Sequence, residues 1–327
     1  MPILPALLLV SLLAQQSAPL IIDTDAGSDD LMAIAFLLSR PDASIEAITV
    51  ANGLAHVDAG ASNILRLLEL GGRRDIPVYV GRGSPMAGSA AFPEEWRRTS
   101  DELPGVQLPQ AVRKPERTRA AEFFASRLKD RNRPVRVLAL GPLTNLAEAL
   151  MRSPGIAGTI RELVIMGGAI HARGNLDDGG YFKTENKTAE WNIFVDPEAA
   201  RIVFNAGLPI RLIPLDATNK VPIDVGFLDR LQSSAHTPLG RFVTQVLETE
   251  RDLIKQSLYY AWDPLAAVAL ADSAAVTFTP LHLEIRQEPP EAGRTLAGPG
   301  KPNAQVALEA RPSVFRQTFL TALLAQK

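Results

Sequence analysis

Residues 20–38 read LIIDTDAGSDDLMAIAFLL, and this stretch decides the architecture. Residues 20–22 are branched and apolar, as in a short strand buried on both faces, while 30–39 carry the apolar density of a buried helix. Between them Asp23, Asp25, Asp29 and Asp30 crowd one strand-to-helix turn. Strands that feed helices in this way build layered α/β domains, and in open α/β sheets ligands bind at the carboxyl ends of the strands. Four carboxylates within eight residues repel one another, and their apolar flanks deny them hydration. A bound cation relieves both problems. Helix capping and the helix dipole account for one or two of these acids, but not for four.

Oxygen ligands with no His or Cys among them favour Ca²⁺ or Mg²⁺ over zinc. Two familiar acidic motifs fail here. An EF-hand begun at Asp23 needs Glu at its twelfth position, where Ile34 stands. The DxDxT pattern of aspartyl-phosphate phosphatases fails at its fifth position, Gly27.

Outward from the turn the same rhythm continues. Residues 45–50, 76–80, 135–140, 163–166 and 210–214 read as buried strands, and 60–70, 117–129, 143–152 and 197–205 as helices. The expected fold is therefore α/β, an open, mostly parallel central sheet with helices on both faces. No linker divides the chain, so 19–327 is expected as one large domain. Residues 82–114 and 174–188 break the rhythm and read as long loops of functional length. Residues 287–302 read as a loop or irregular hairpin before a last helix over 314–324.

Composition narrows the chemistry. The 327 residues hold 34 basic and 36 acidic side chains, a formal charge of −2 that offers no surface for coating nucleic acid. No cysteine is present, which excludes disulfides, thiolate metal sites and a cysteine nucleophile. None of the four histidines has a partner at i,i+4, so a His-built zinc site is not expected. His56 and His171 read as surface or supporting groups. Gly141, Gly167 and Gly168 follow strands but form neither GxGxxG nor a Walker loop, so nucleotide phosphate is not indicated. The apolar run over 3–14 is too short for the roughly 20 residues of a membrane span and suits a secretory signal. Residues 1–18 are thus expected as a leader that exports the protein without stable membrane insertion; the alternative is a cytoplasmic protein.

Taken in order, the DxDxGxDD turn (Asp23, Asp25, Gly27, Asp29, Asp30), LGPLTNLAEAL over 140–150, VIMGGAIHARGN over 164–175, AEWNIFVDPEAA over 189–200 and YYAWDPLAA over 259–267 resemble the inosine–uridine-preferring nucleoside hydrolases. The likeness runs from residue 20 to about 327, with Ala26 where a proline is common. It implies a nucleoside-hydrolase-type fold, a nucleoside substrate, a Ca²⁺ cofactor and a homo-oligomer, dimer or tetramer. Position by position it implies Ca²⁺ ligation by Asp25, Asp30, Asp263 and the Leu140 carbonyl, with Asp25 also the general base. It implies ribose contacts from Asp29, Met166, Asn175, Glu190 and Asn192. Asn52 stands about two residues from a polar position that often follows the second strand. Where the base-promiscuous branch has a histidine before the last metal Asp, this chain has Trp262. With Trp96, it resembles the purine-specific branch, in which tryptophans sandwich the base.

Elementary chemistry agrees with that likeness. Cleaving an N-glycosidic bond passes through an oxocarbenium-like sugar cation, which calls for activated water and negative potential. Indole faces would hold a purine by stacking. Trp191, flanked by Glu190 and Asn192, points away from them if the segment is extended and is expected in the core. Tyr259 and Tyr260 either line the pocket or pack beneath it. Two rivals stand beside a purine ribonucleoside hydrolase: one with broad or pyrimidine preference, and a non-catalytic exported nucleoside- or sugar-binding protein.

Overall fold

The computed structural model describes residues 18–177 and 182–325. Apart from Ala18, the expected leader lies outside them, as do residues 178–181 of the second long segment. The first half alternates strictly: β1 (Leu20–Thr24), α1 (Ser28–Leu38), β2 (Ile45–Val50), α2 (Val57–Leu70) and β3 (Val78–Val80), then α3 (Glu94–Glu102) and α4 (Ala120–Arg127). Next come β4 (Val135–Ala139), α5 (Thr144–Arg152), β5 (Ile160–Met166), α6 (Trp191–Val195), α7 (Pro197–Phe204) and β6 (Ile210–Ile213). A run of helices follows: α8 (Leu215–Thr218), α9 (Val225–Ser234), α10 (Pro238–Thr249), α11 (Arg251–Lys255) and α12 (Trp262–Ala271). The chain closes with β7 (Val276–Ile285), β8 (Thr295–Gly298), β9 (Ala304–Ala310) and α13 (Pro312–Leu324).

The strands form one sheet in the order β3-β2-β1-β4-β5-β6-β9-β7-β8. Parallel pairing runs from β3 to β9, and β7 pairs antiparallel with both β9 and β8. The chain leaves β1 toward β2 and later returns to β1's other side as β4. Connections thus diverge at the carboxyl ends of β1 and β4, opening the crevice where doubly wound sheets bind ligands. Asp23 lies opposite Thr49 on one side and Ala139 on the other, so the acidic turn emerges at this fork.

Alternation along each strand divides the core. Leu20 and Ile22 join one buried cluster with Phe36, Leu67, Val268 and Phe319, from α1, α2, α12 and α13. Ile21 faces the opposite way, into a cluster with Phe124, Leu146 and Val203 from α4, α5 and α7. Both faces of the sheet are covered, which explains why its central strands are mostly apolar.

Several expectations need correction. The segment over 82–114 is not all loop, because it contains α3, whose EEWRRTSDE lacks the apolar stripe that would betray a helix. Residues 191–195 are helical, not extended, so alternation is the wrong reason for Trp191's burial. Ring stacking with Phe92 and edge contacts with Phe194 and Trp96 are the right one. The region over 276–310 holds three strands, where only a loop or irregular hairpin over 287–302 was expected. Pro280 sits within β7 because β8 pairs only from His282 onward, leaving the β7 edge beside the proline open.

Candidate active site

The turn after β1 is organised by Asp30. Its carboxylate accepts the amides of Asp25 (3.2 Å) and Gly27 (3.1 Å) and the hydroxyl of Thr24, whose oxygen in turn accepts the Ala26 amide at 3.0 Å. Ala26 takes φ 60°, a value that proline's ring forbids, so this turn runs differently from a proline-bearing one. Asp25 is pinned from two neighbouring strand ends. Its Oδ2 accepts the Leu54 amide at 2.8 Å. A Cβ on Gly53 would lie 2.0 Å from that same oxygen, and one on Gly141 would lie 2.8 Å from the Asp25 Cβ. Only glycine lets these two strand ends close on the carboxylate.

Asp263 reaches the turn from the first residues of α12, which packs against α1. Asp29, Asp30 and Asp263 can each offer an oxygen within 4.8 Å of the others, a spacing that could hold a metal ion. Burial pushes Asp29 up to about 7, with Asp25 repelling it further. Asp30 and Asp263 are driven well above the ordinary carboxylate range by burial and then by neighbouring acids. Asp25 rises as well, again through burial. Among the described residues, buried Asp263 Oδ1 has no hydrogen-bond partner. An orphaned oxygen in an all-carboxylate donor set fits a hard divalent cation, which would supply the missing countercharge. Asp23 lies deeper, bonded by Thr49 (2.6 Å) and Asn145 (2.8 Å), and burial lifts it to about 7.

Across the fork lies a second polar group from the end of β5 and the start of α6. Glu190 caps α6, accepting the amides of Asn192 (2.9 Å), Ile193 (3.2 Å) and Gly168 (2.9 Å); burial nonetheless lifts it to about 7. The Asn192 side chain donates to the carbonyls of Leu140 (2.7 Å) and Met166 (3.3 Å), joining the ends of β4 and β5. Asn175 is half-buried and accepts the Trp191 amide at 3.2 Å. Asp25 acts electrostatically on Glu190, so the two groups belong to one field.

The remaining expected residues are placed as follows. Trp262 is half-buried, adjoins Asp263 and meets Tyr259 and Tyr260 edge-on; Tyr259 is buried beneath it. Trp96 is half-buried on α3 and leans on Trp191 at 5.8 Å between ring centres. The two indoles are thus held by different packing clusters. Asn52 is buried at the end of β2, its Oδ1 accepting a bond from Arg97 at 3.1 Å. His56 bonds Asp101 at 2.7 Å and so supports α3. Sequence reasoning missed Arg97, whose charge opposes the rise of Asp25 caused by burial. Pro93-Glu94-Glu95, with acids in a first turn, was the available signal of the helix that carries it.

Comparison with known proteins agrees with this geometry. The inosine-uridine preferring nucleoside hydrolase family matches residues 20–317. A pyrimidine-specific ribonucleoside hydrolase, RihA, of Salmonella arizonae is 35% identical over 230 residues, 70% of each chain. A plant nucleoside hydrolase structure superposes with a TM-score of 0.83 at 28% identity, covering 94% of this chain and 99% of that one. A purine-preferring ribonucleoside hydrolase from Gardnerella vaginalis gives 0.79 at 28% identity, covering 93% and 98%. With the family model matching nearly the whole described chain, the chain belongs to the inosine–uridine preferring nucleoside hydrolase family, a family of N-glycosyl hydrolases.

Proposed function

We propose that this protein is a Ca²⁺-dependent hydrolase of purine ribonucleosides, releasing free base and ribose. One observation carries the proposal: at the β1/β4 fork, the Asp29–Asp30–Asp263 triad and Asp25 meet Glu190 and Asn192 from the opposite bank. The triad, with Asp25 and the Leu140 carbonyl beside it, would hold the cation. When bound, Ca²⁺ accepts six to eight oxygens and lowers the pKa of water in its shell.

The rest is the work of the chain's own residues. Asp25, fixed by the Leu54 amide and walled by Gly53 and Gly141, accepts a proton from the attacking water. Asp25, Asp29 and Glu190 supply negative potential where positive charge develops on the ribosyl carbon. Asn175, Asn192, Met166 and Glu190 surround the sugar, whose hydroxyls need both donors and acceptors. No imidazole adjoins Asp263; Trp262 stands there and Trp96 lies on α3, giving the leaving base indole faces. Stacking of this kind is worth about 1–3 kcal/mol per base.

A pyrimidine preference is the second reading, favoured by RihA, the pyrimidine-specific relative at 35% identity. Incubating the protein with inosine, adenosine, guanosine, uridine and cytidine, with Ca²⁺ or with chelator, and measuring reducing sugar tests both. Faster release from the purines supports the first reading, faster release from the pyrimidines the second. Release from none leaves a binding protein. We also propose that the leader exports the enzyme; N-terminal sequencing of protein recovered outside the cytoplasm tests this.

A further inference from the structure

Arg97 is a buried cation that the steps above leave unused. It is 9% exposed, and its helix is held firmly on α2. Asn63 donates to the carbonyls of Ser100 (3.1 Å) and Asp101 (3.0 Å), and the His56 amide bonds Asp101 at 2.8 Å. Among the described residues the Arg97 side chain makes one hydrogen bond, from Nη2 to Asn52 Oδ1, and its buried Nε has no acceptor. A buried donor left incomplete is unfavourable, so mere packing at this position would be better served by an apolar side chain.

The bond decides which way the Asn52 amide faces. An asparagine amide can present either its oxygen or its NH₂ after a half-turn about its last bond. Arg97 has donors only, so it takes the oxygen, and the Asn52 NH₂ has no acceptor among the described hydrogen bonds. Asn52 immediately precedes Gly53 and Leu54, the two residues that press on and bond to the Asp25 carboxylate.

We propose that Arg97 is a positioning residue for nucleoside recognition: it holds the Asn52 amide so that its NH₂ is offered to an acceptor atom of the bound nucleoside. The proposal rests on the hydrolase reading above. Without Arg97 the amide is free to turn its oxygen toward that acceptor, so the effect on KM passes through Asn52; the charge that Arg97 sets against the rise of Asp25 acts on kcat and is read separately.

The test measures kcat and KM of the full chain with Ca²⁺, using inosine and uridine, for wild type, Arg97→Met, Arg97→Lys, Asn52→Ala and the Arg97→Met/Asn52→Ala double variant. Arg97→Met and Asn52→Ala should each raise KM about tenfold, with kcat of Asn52→Ala changed by less than about threefold. In KM the double variant should match Asn52→Ala alone, and Arg97→Lys should fall between wild type and Arg97→Met. An unchanged KM in Arg97→Met, or effects that multiply in the double variant, would overturn the proposal. Should Arg97→Met fail to fold, Arg97→Lys in the Asn52→Ala background decides: no added effect supports the proposal and a further rise in KM refutes it. Wild-type protein that cleaves no nucleoside refutes the hydrolase reading and this inference together. Wild-type turnover with any of the contrary results refutes this inference alone.

Discussion

Asp25 shows how closely one side chain is held. The Leu54 amide fixes its oxygen and two glycines leave the room that the carboxylate fills. Asp25→Ala is expected to lower kcat by orders of magnitude while the circular dichroism spectrum is preserved, since general-base contributions alone run to about 10²–10⁴. Gly53→Ala tests the same geometry without touching the carboxylate. The added methyl would lie 2.0 Å from Asp25 Oδ2, so kcat should fall at least tenfold, and retention of wild-type kcat would show that the strand ends can part. Trp262→Phe keeps a ring but removes the indole. It should change the ratio of purine to pyrimidine kcat/KM more than it changes cleavage of the preferred substrate, as a substrate panel would reveal.

At the scale of elements, the β1–α1 turn stores a conflict that the rest of the fold tolerates. Burial raises Asp29 to about 7 and lifts Asp25, Asp30 and Asp263 as well. A carboxyl whose folded pKa exceeds its unfolded value, near 3.8 here, stabilises most below that unfolded value. The contribution is lost as pH rises through the folded value. Metal-free protein should therefore melt progressively lower from pH 5 to pH 8, and added Ca²⁺ should erase much of that decline. A thermal-shift series with chelator or Ca²⁺ across this range checks it. Helix α3 illustrates the opposite case, an element hidden from sequence. Its single large apolar residue, Trp96, gives no periodic face. It ends on Leu103 in the left-handed conformation at φ 49°, and Asn63 and His56 of the α2 region hold its last turn. Those partners lie over 30 residues away in sequence, beyond any local pattern.

Across the whole molecule, the sheet is tied together at the end away from the site. Glu162 on β5 bonds Arg136 of β4 at 2.8 Å and Arg211 of β6 at 2.5 Å. Burial works against its charged form, but the two guanidinium groups prevail and hold it below the usual value of 4.5. A depressed carboxylate contributes stability that is present above the unfolded pKa and lost as pH falls through the folded one. Glu162→Gln should lower Tm by about 1–2 °C near neutrality, the equivalent of about 1 kcal/mol. The gap from wild type should close as pH falls from the ordinary value of 4.5 down through the lowered one. Thermal melts of both proteins between pH 3 and pH 8 would show it.

The sequence by itself determined the alternating α/β build, the acidic turn after the first strand and the identity of most side chains at the fork. Apolar periodicity and the clustering of like charge are local properties, and they survive without coordinates. Strand order, the β7–β9 extension and the helix under Trp96 were decided only in three dimensions, while the union of Asp263 with a turn more than 230 residues earlier was implied by family likeness and not by any local pattern. Each depends on partners far apart along the chain. The Arg97–Asn52 bond belongs with these, since nothing near either residue announces the other. Burial, which the fold alone imposes, is what turns ordinary aspartates into groups that call for a cation.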